Sequence, residues 1–156
     1  MEARDFNSEA QRAERLPETG QGNTGRRAIA AWRCRLPWPP SANLIWRTSR
    51  NVTYLSKTYK DFLRSAAGAI LCQKPRDLFI TEPIRVEIVL HPPRNFHFDI
   101  DNRVKPLLDI LTRACVWKDD SLVHELTVRR AEIKKNGLAV VYIRAIDKPK
   151  EKTENA

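Results

Sequence analysis

The sequence predicts an α/β chain of the α+β, two-layer kind: a mixed sheet of about four strands with two helices packed on it. Two periodicities predict it. Apolar residues alternate with polar ones in four segments, beginning near Ala28, Pro83, Ser121 and Leu138. They recur at helical spacing in two others, after Ser56 and after Asp101. Proline and glycine clusters separate the segments, giving the order strand, loop, helix, strand, helix, strand, strand.

Residues 1–27 are polar, with Gly20, Gly22 and Gly25 and only Met1, Phe6 and Leu16 as large apolar side chains. Such a stretch buries too little to order itself, so a disordered extension is expected. Residues 28–147 are expected to form the folded domain. Its first strand sets Trp32, Cys34 and Leu36 against Arg33 and Arg35 and ends where Pro37, Pro39 and Pro40 remove ladder donors. Ala42–Leu55 reads as a loop or short hairpin. Its Trp46 and Tyr54, interleaved with Asn43, Arg47, Arg50 and Asn51, serve either a DNA-backbone arm or packing on the core.

Ser56 caps a helix reaching about Gln73, with Tyr59, Phe62, Leu63, Ala66, Ala67 and Ile70 as its apolar stripe. Lys57, Lys60 and Arg64 line another face, a solvated surface or a DNA ridge. Ile84, Val86, Ile88 and Leu90 make the next strand's inner face. Ser121–Ile133 and Leu138–Ile146 read as strands paired through an Asn136-Gly137 turn, crowded by Arg129, Arg130, Lys134 and Lys135. Residues 148–156 are a charged tail. Cys34, Cys72 and Cys115 lack metal-ligand spacing and sit among apolar neighbours, which predicts buried free thiols in a reducing cytosol.

Charge narrows the function classes. The net charge is +9, and residues 28–146 carry all of the excess, with twenty basic and eleven acidic side chains. That surplus fits a polyanionic partner bound in a salt-dependent way. No apolar run approaches the ~20 residues of a membrane span, so a membrane partner is not expected.

Within this basic chain, His97–Asp120 holds five of those eleven acidic residues. If Phe96–Asp101 is extended, Asp99 and Asp101 leave one face with Cα atoms roughly 6.5–7 Å apart. Two such carboxylates can converge on a hard cation. Asp101-Asn102 starts a helix with Val104, Leu107, Leu108 and Leu111 inward, and Lys105 lies on the same side as Asp101. Asp119-Asp120 follows the helix, where a turn could swing it back toward the first pair. Carboxylates plus a lysine are what phosphodiester hydrolysis needs: an ion to activate water and a cation to stabilise charge as the P–O bond breaks. The plainer alternative is an N-cap with a turn residue and a surface ion pair. His97, two before Asp99, reads more simply as a spectator than as a ligand or proton shuttle.

The run DIDNRVKPLLDIL…VWKDDSLV resembles the core motif of the RusA-type Holliday junction resolvases, and LPWPPSAN at Leu36–Asn43 resembles that family's first motif. Their order and separation also match, and the resemblance spans about Trp32 to Ile146. It implies metal ligation by Asp99, Asp101 and Asp120, with Asp119 a neighbour of lesser weight. It implies that Lys105 stabilises charge at the scissile phosphate, with Asp109 orienting it and Asn102 supporting the site. Mg²⁺ is the implied cofactor, with Mn²⁺ as the alternative.

The family's bacterial and phage enzymes act as two-fold dimers that nick opposite strands of a four-way junction in recombination and repair. The expectation is therefore a cytoplasmic homodimer on branched DNA, contacting it through Asn43, Arg47, Arg50, Lys57, Lys60 and Arg103. One departure stands out. The family often has a basic residue before the first aspartate, and here that residue is Phe98. Two rivals remain open: a protein that holds branched DNA without cutting it, and a nuclease for flaps or other branched nucleic acids.

Overall fold

A computed structural model describes residues 31–146; the expected extension (1–27) and charged tail (148–156) lie outside the described residues. Six strands and two α-helices follow in order: β1 (Ala31–Pro37), β2 (Trp46–Ser49), β3 (Val52–Leu55), α1 (Lys57–Gln73), β4 (Ile84–His91), α2 (Val104–Arg113), β5 (Val123–Arg130) and β6 (Leu138–Ala145). Short 3-10 turns at Ala42–Leu44, Asp101–Arg103 and Asp120–Leu122 lead into β2, α2 and β5.

The main sheet is mixed, in the order β1-β6-β4-β5, and β2 and β3 form a separate two-stranded hairpin. Alternation sets the buried face: Trp32, Cys34 and Leu36 from β1, Ile84, Val86, Ile88 and Leu90 from β4, and Ala139, Val141 and Ile143 from β6. Against it pack Tyr59, Phe62, Ala66 and Ile70 of α1 and Leu107, Ile110 and Leu111 of α2. Ser56 caps α1 by accepting the Tyr59 N–H at 3.2 Å. The other end of α1 is tied to β1, because the Gln73 amide accepts from the Arg35 N–H and donates to the Arg35 carbonyl, each at 2.8 Å. Pro106 falls in the first turn of α2, where a missing N–H costs nothing.

The expected layers are present, but three local expectations are corrected. β5 and β6 are not paired with each other. β6 lies between β1 and β4, antiparallel to both, and β5 runs parallel to β4 at the sheet edge. Composition explains the placement. β6 is apolar on both faces at Val140 and Val141 and suits an interior position, whereas β5 exposes His124, Glu125, Thr127 and Arg129 and suits an edge. Residues 131–137 therefore cross past the end of β4, with the Ala131 and Lys134 N–H groups donating to Leu90 and Pro92 carbonyls at 2.8 and 3.0 Å. Only Cys34 is buried, its thiol pushed up to about 12 by burial, while Cys72 and Cys115 are exposed. Ala67 is exposed too, which narrows the α1 stripe.

Candidate active site

The acidic loop leaves the top of β4 and is held there by rings and guanidinium groups. Trp38, from the proline-rich loop, meets Phe98 edge-on at 5.1 Å between centroids, and Phe98 lies 5.2 Å from Phe96. Arg130, at the end of β5, sits 4.1 Å over the Phe98 ring and donates to the Phe98 carbonyl at 2.8 Å. Arg103 lies 5.2 Å from the Trp38 ring and 5.6 Å from the Phe98 ring. It also donates to the Pro39 carbonyl at 2.8 Å, while its Nε is buried without a hydrogen-bond partner. Burial lowers its pKa. Arg103, partly buried, thus joins two loops. Together Arg103 and Arg130 pin the residue immediately before Asp99.

From that anchor the loop delivers Asp99 and Asp101 to the surface. The extended run stops at Asp99, since Ile100 is already helical and Asp101 opens the 3-10 turn. Asn102 donates to Asp99 at 3.2 Å. The Asp101 and Asp120 side chains have no hydrogen-bond or ion-pair partner among the described residues. His97 is exposed.

One turn further on, Lys105 donates to Asp109 Oδ1 at 3.1 Å, the i,i+4 contact the spacing predicts. The second Asp109 oxygen accepts from the Tyr59 hydroxyl of α1, also at 3.1 Å. Burial first, then the Asp109 charge, pushes the Tyr59 hydroxyl up to about 12, so it remains a donor. Sequence reasoning placed Tyr59 in the core stripe and missed this contact; a phenol in an otherwise apolar stripe was the available signal. Lys105, Asp109 and Tyr59 line an open groove of about 330 Å³ whose other walls include Trp46 and Leu55 of the hairpin and Thr112, Arg113 and Asp120.

Asp120 shares that groove with Lys105 and Asp109. Among the described residues, no three His, Cys, Asp or Glu side chains are grouped to hold a metal ion. Beyond the helix, the Ile80 carbonyl accepts the Lys118 N–H at 3.0 Å, and the turn that follows brings Asp120 to the groove lined by Lys105 and Asp109. Asp119 accepts the Ser121 N–H at 2.9 Å, and hydrogen bonding from Ser121, its side chain first and then this N–H, holds the carboxyl below the usual carboxylate range.

Of the expected DNA contacts, Arg47 and Arg50 are exposed on the hairpin and Asn43 on the turn before it. Lys60 is exposed on α1, and Lys57 is exposed but paired with Asp61 at 3.0 Å. Trp46 and Tyr54 do not pack on the core; they are 58% and 45% exposed.

Comparison with known proteins identifies the family. Residues 37–144 match the family model described as endodeoxyribonuclease RusA. The chain is 33% identical over 102 residues to the crossover junction endodeoxyribonuclease RusA of Escherichia coli O139:H28, covering 65% of this chain and 84% of that one. It is 32% identical over 102 residues to the protein of the same name in E. coli K12 and 34% over 106 residues to that of Enterobacteria phage 82, with the same coverage. The matched span contains the loop, the α2 lysine and the WKDD turn, and the chain belongs to the RusA family of endodeoxyribonucleases.

Proposed function

We propose that this chain resolves four-way DNA junctions as a homodimer, each subunit making one metal-dependent nick, in the bacterial cytoplasm where phage or host DNA recombines and is repaired. The observation that carries the proposal is the pairing of charges. In a chain of net charge +9, Asp99, Asp101 and Asp120 form no ion pair among the described residues, while Asp109 holds Lys105. Carboxylates kept clear of lysine and arginine are available to a cation.

Asp99 and Asp101 fit Mg²⁺, which is commonly held by one or two carboxylates with water and phosphate oxygens completing its shell. Asp120, which lines the groove with Lys105, is the third candidate. When bound, Mg²⁺, or Mn²⁺ in its place, would neutralise phosphate charge and activate the attacking water. The protein's own part is positioning. Lys105 spends one of its three donors on Asp109 and keeps two for the oxygens of the scissile phosphate, where negative charge grows as the P–O bond breaks. Tyr59 occupies the other Asp109 oxygen, which fixes the carboxylate and through it the lysine. Arg47, Arg50 and Lys60 supply sequence-independent backbone contacts.

The test is a labelled four-way junction, a linear duplex and a flap, each with Mg²⁺ and with EDTA. Cutting of the junction alone, and with Mg²⁺ alone, is expected. Tight junction binding with no cutting under any condition would leave a branched-DNA binding protein, and equal cutting of the flap would replace the substrate class.

A further inference from the structure

We propose that Trp46 is a stacking platform for an unpaired nucleobase at the mouth of the groove, and that this contact lets the chain prefer branched over fully paired DNA. The proposal rests on the nuclease reading above for the identity of the groove. Its carrying observation is the contrast among the four tryptophans. Trp117 and Trp32 are buried, and Trp38 packs in the ring cluster with Phe98, but Trp46 is 58% exposed.

The hairpin presents this indole in a defined place. Trp46 is directly opposite Leu55 in the β2–β3 register, so both leave the same face, the one that lines the groove with Tyr59, Lys105 and Asp109. Arg47 and Tyr54 form the next pair and leave the opposite face. The base of the hairpin is fixed by buried Ile45, whose carbonyl accepts the Ser56 N–H at 2.8 Å. Its tip closes in a two-residue turn with positive φ at Arg50 and Asn51, and Thr48 and Thr53 hydroxyls join the strands at 3.2 Å. The result is a short tongue, anchored at one end, with an aromatic face over the groove and cations at its back and tip.

Charge selects the occupant. An exposed indole beside a lysine, with Arg47 and Arg50 on the same tongue, complements a flat base joined to an anionic backbone better than it complements an apolar protein surface. In a continuous duplex both faces of every base are covered by neighbours. At a branch point a base is unstacked at least cost, and there an indole can reach it.

The test uses the full chain as Trp46→Ala, Trp46→Phe and Trp46→Leu, with junction and linear-duplex binding read in EDTA and 2-aminopurine placed at the crossover. Base stacking predicts a junction affinity about fivefold to a hundredfold weaker for Trp46→Ala, and little change for Trp46→Phe. Trp46→Leu should fail to rescue, duplex affinity should hold, and 2-aminopurine quenching on binding should be lost in the Ala variant. The salt dependence should also match wild type, because no phosphate contact is removed. Wild-type junction affinity for Trp46→Ala would overturn the proposal, as would full rescue by Leu or a halved mass in sedimentation, which would make the hairpin a subunit contact. Because binding is read without cleavage, a wild-type chain that binds but never cuts would overturn the nuclease reading separately.

Discussion

Asp109 does at residue scale what a single ion pair could not. It accepts from Lys105 on one oxygen and from a buried tyrosine on the other, so the lysine inherits the rigidity of α1. Tyr59→Phe should therefore lower kcat about three- to tenfold and leave junction affinity unchanged, the effect of losing one positioning hydrogen bond worth about 0.5–1.5 kcal/mol. Folding raises this hydroxyl from 10.0 to about 12, favouring its protonated form. Its contribution to stability is thus complete below pH 10 and is lost as the pH climbs toward about 12. Melting curves across that range should fall less steeply for Tyr59→Phe than for wild type. The Lys105–Asp109 contact was legible because helical spacing alone brings residues four apart together. Arg103 was not: beside two aspartates it reads as a phosphate contact, yet Trp38 and Phe98 also hold its guanidinium. That outcome depends on loops 64 residues apart meeting, which local sequence does not encode.

At the scale of elements, alternation and helical period located the sheet and both helices, and Ser56 marked the start of α1 through a cap that forms. Alternation reports which side chains are buried, not which strands are neighbours. Asn136-Gly137 has the positive φ of a hairpin turn, 68° and 70°, and still ends a crossing loop. That loop brings Gly137 against the proline-rich segment, where an added Cβ would lie 2.8 Å from the Trp38 Cβ. Gly137→Ala should then destabilise the fold by about 2–3 kcal/mol through left-handed strain and displacement of Trp38. A denaturant titration with a midpoint equal to wild type would show that the loop end is free to move.

At the scale of the molecule, one chain offers one Lys105 and one set of Asp99, Asp101 and Asp120, while a four-way junction presents two symmetry-related phosphates. Two cuts require two such sites, and a two-fold dimer matches the symmetry of the substrate. A cruciform plasmid should consequently be linearised within one encounter, and sedimentation should give twice the 18.0 kDa chain mass. A monomer releasing only nicked circles would contradict paired cutting. The uneven charge, +9 carried wholly by residues 28–146, was legible from composition and suits this substrate. The path by which Asp120 reaches the groove of Lys105 was not, because the motif's spacing does not say where Ile80 captures the chain after α2.

If carboxylates free of ion pairs, together with Lys105, cut DNA, then Asp101→Asn should abolish cutting and spare binding. The change keeps the side chain's shape and removes the charge available to a metal ion. Cleavage and binding of one labelled junction should be measured for wild type and variant, cleavage with Mg²⁺ and binding with Ca²⁺ or EDTA. Cleavage should fall by orders of magnitude, with binding equal or tighter because a carboxylate that repels phosphate is gone. Wild-type cleavage by Asp101→Asn would contradict that role for the carboxylates.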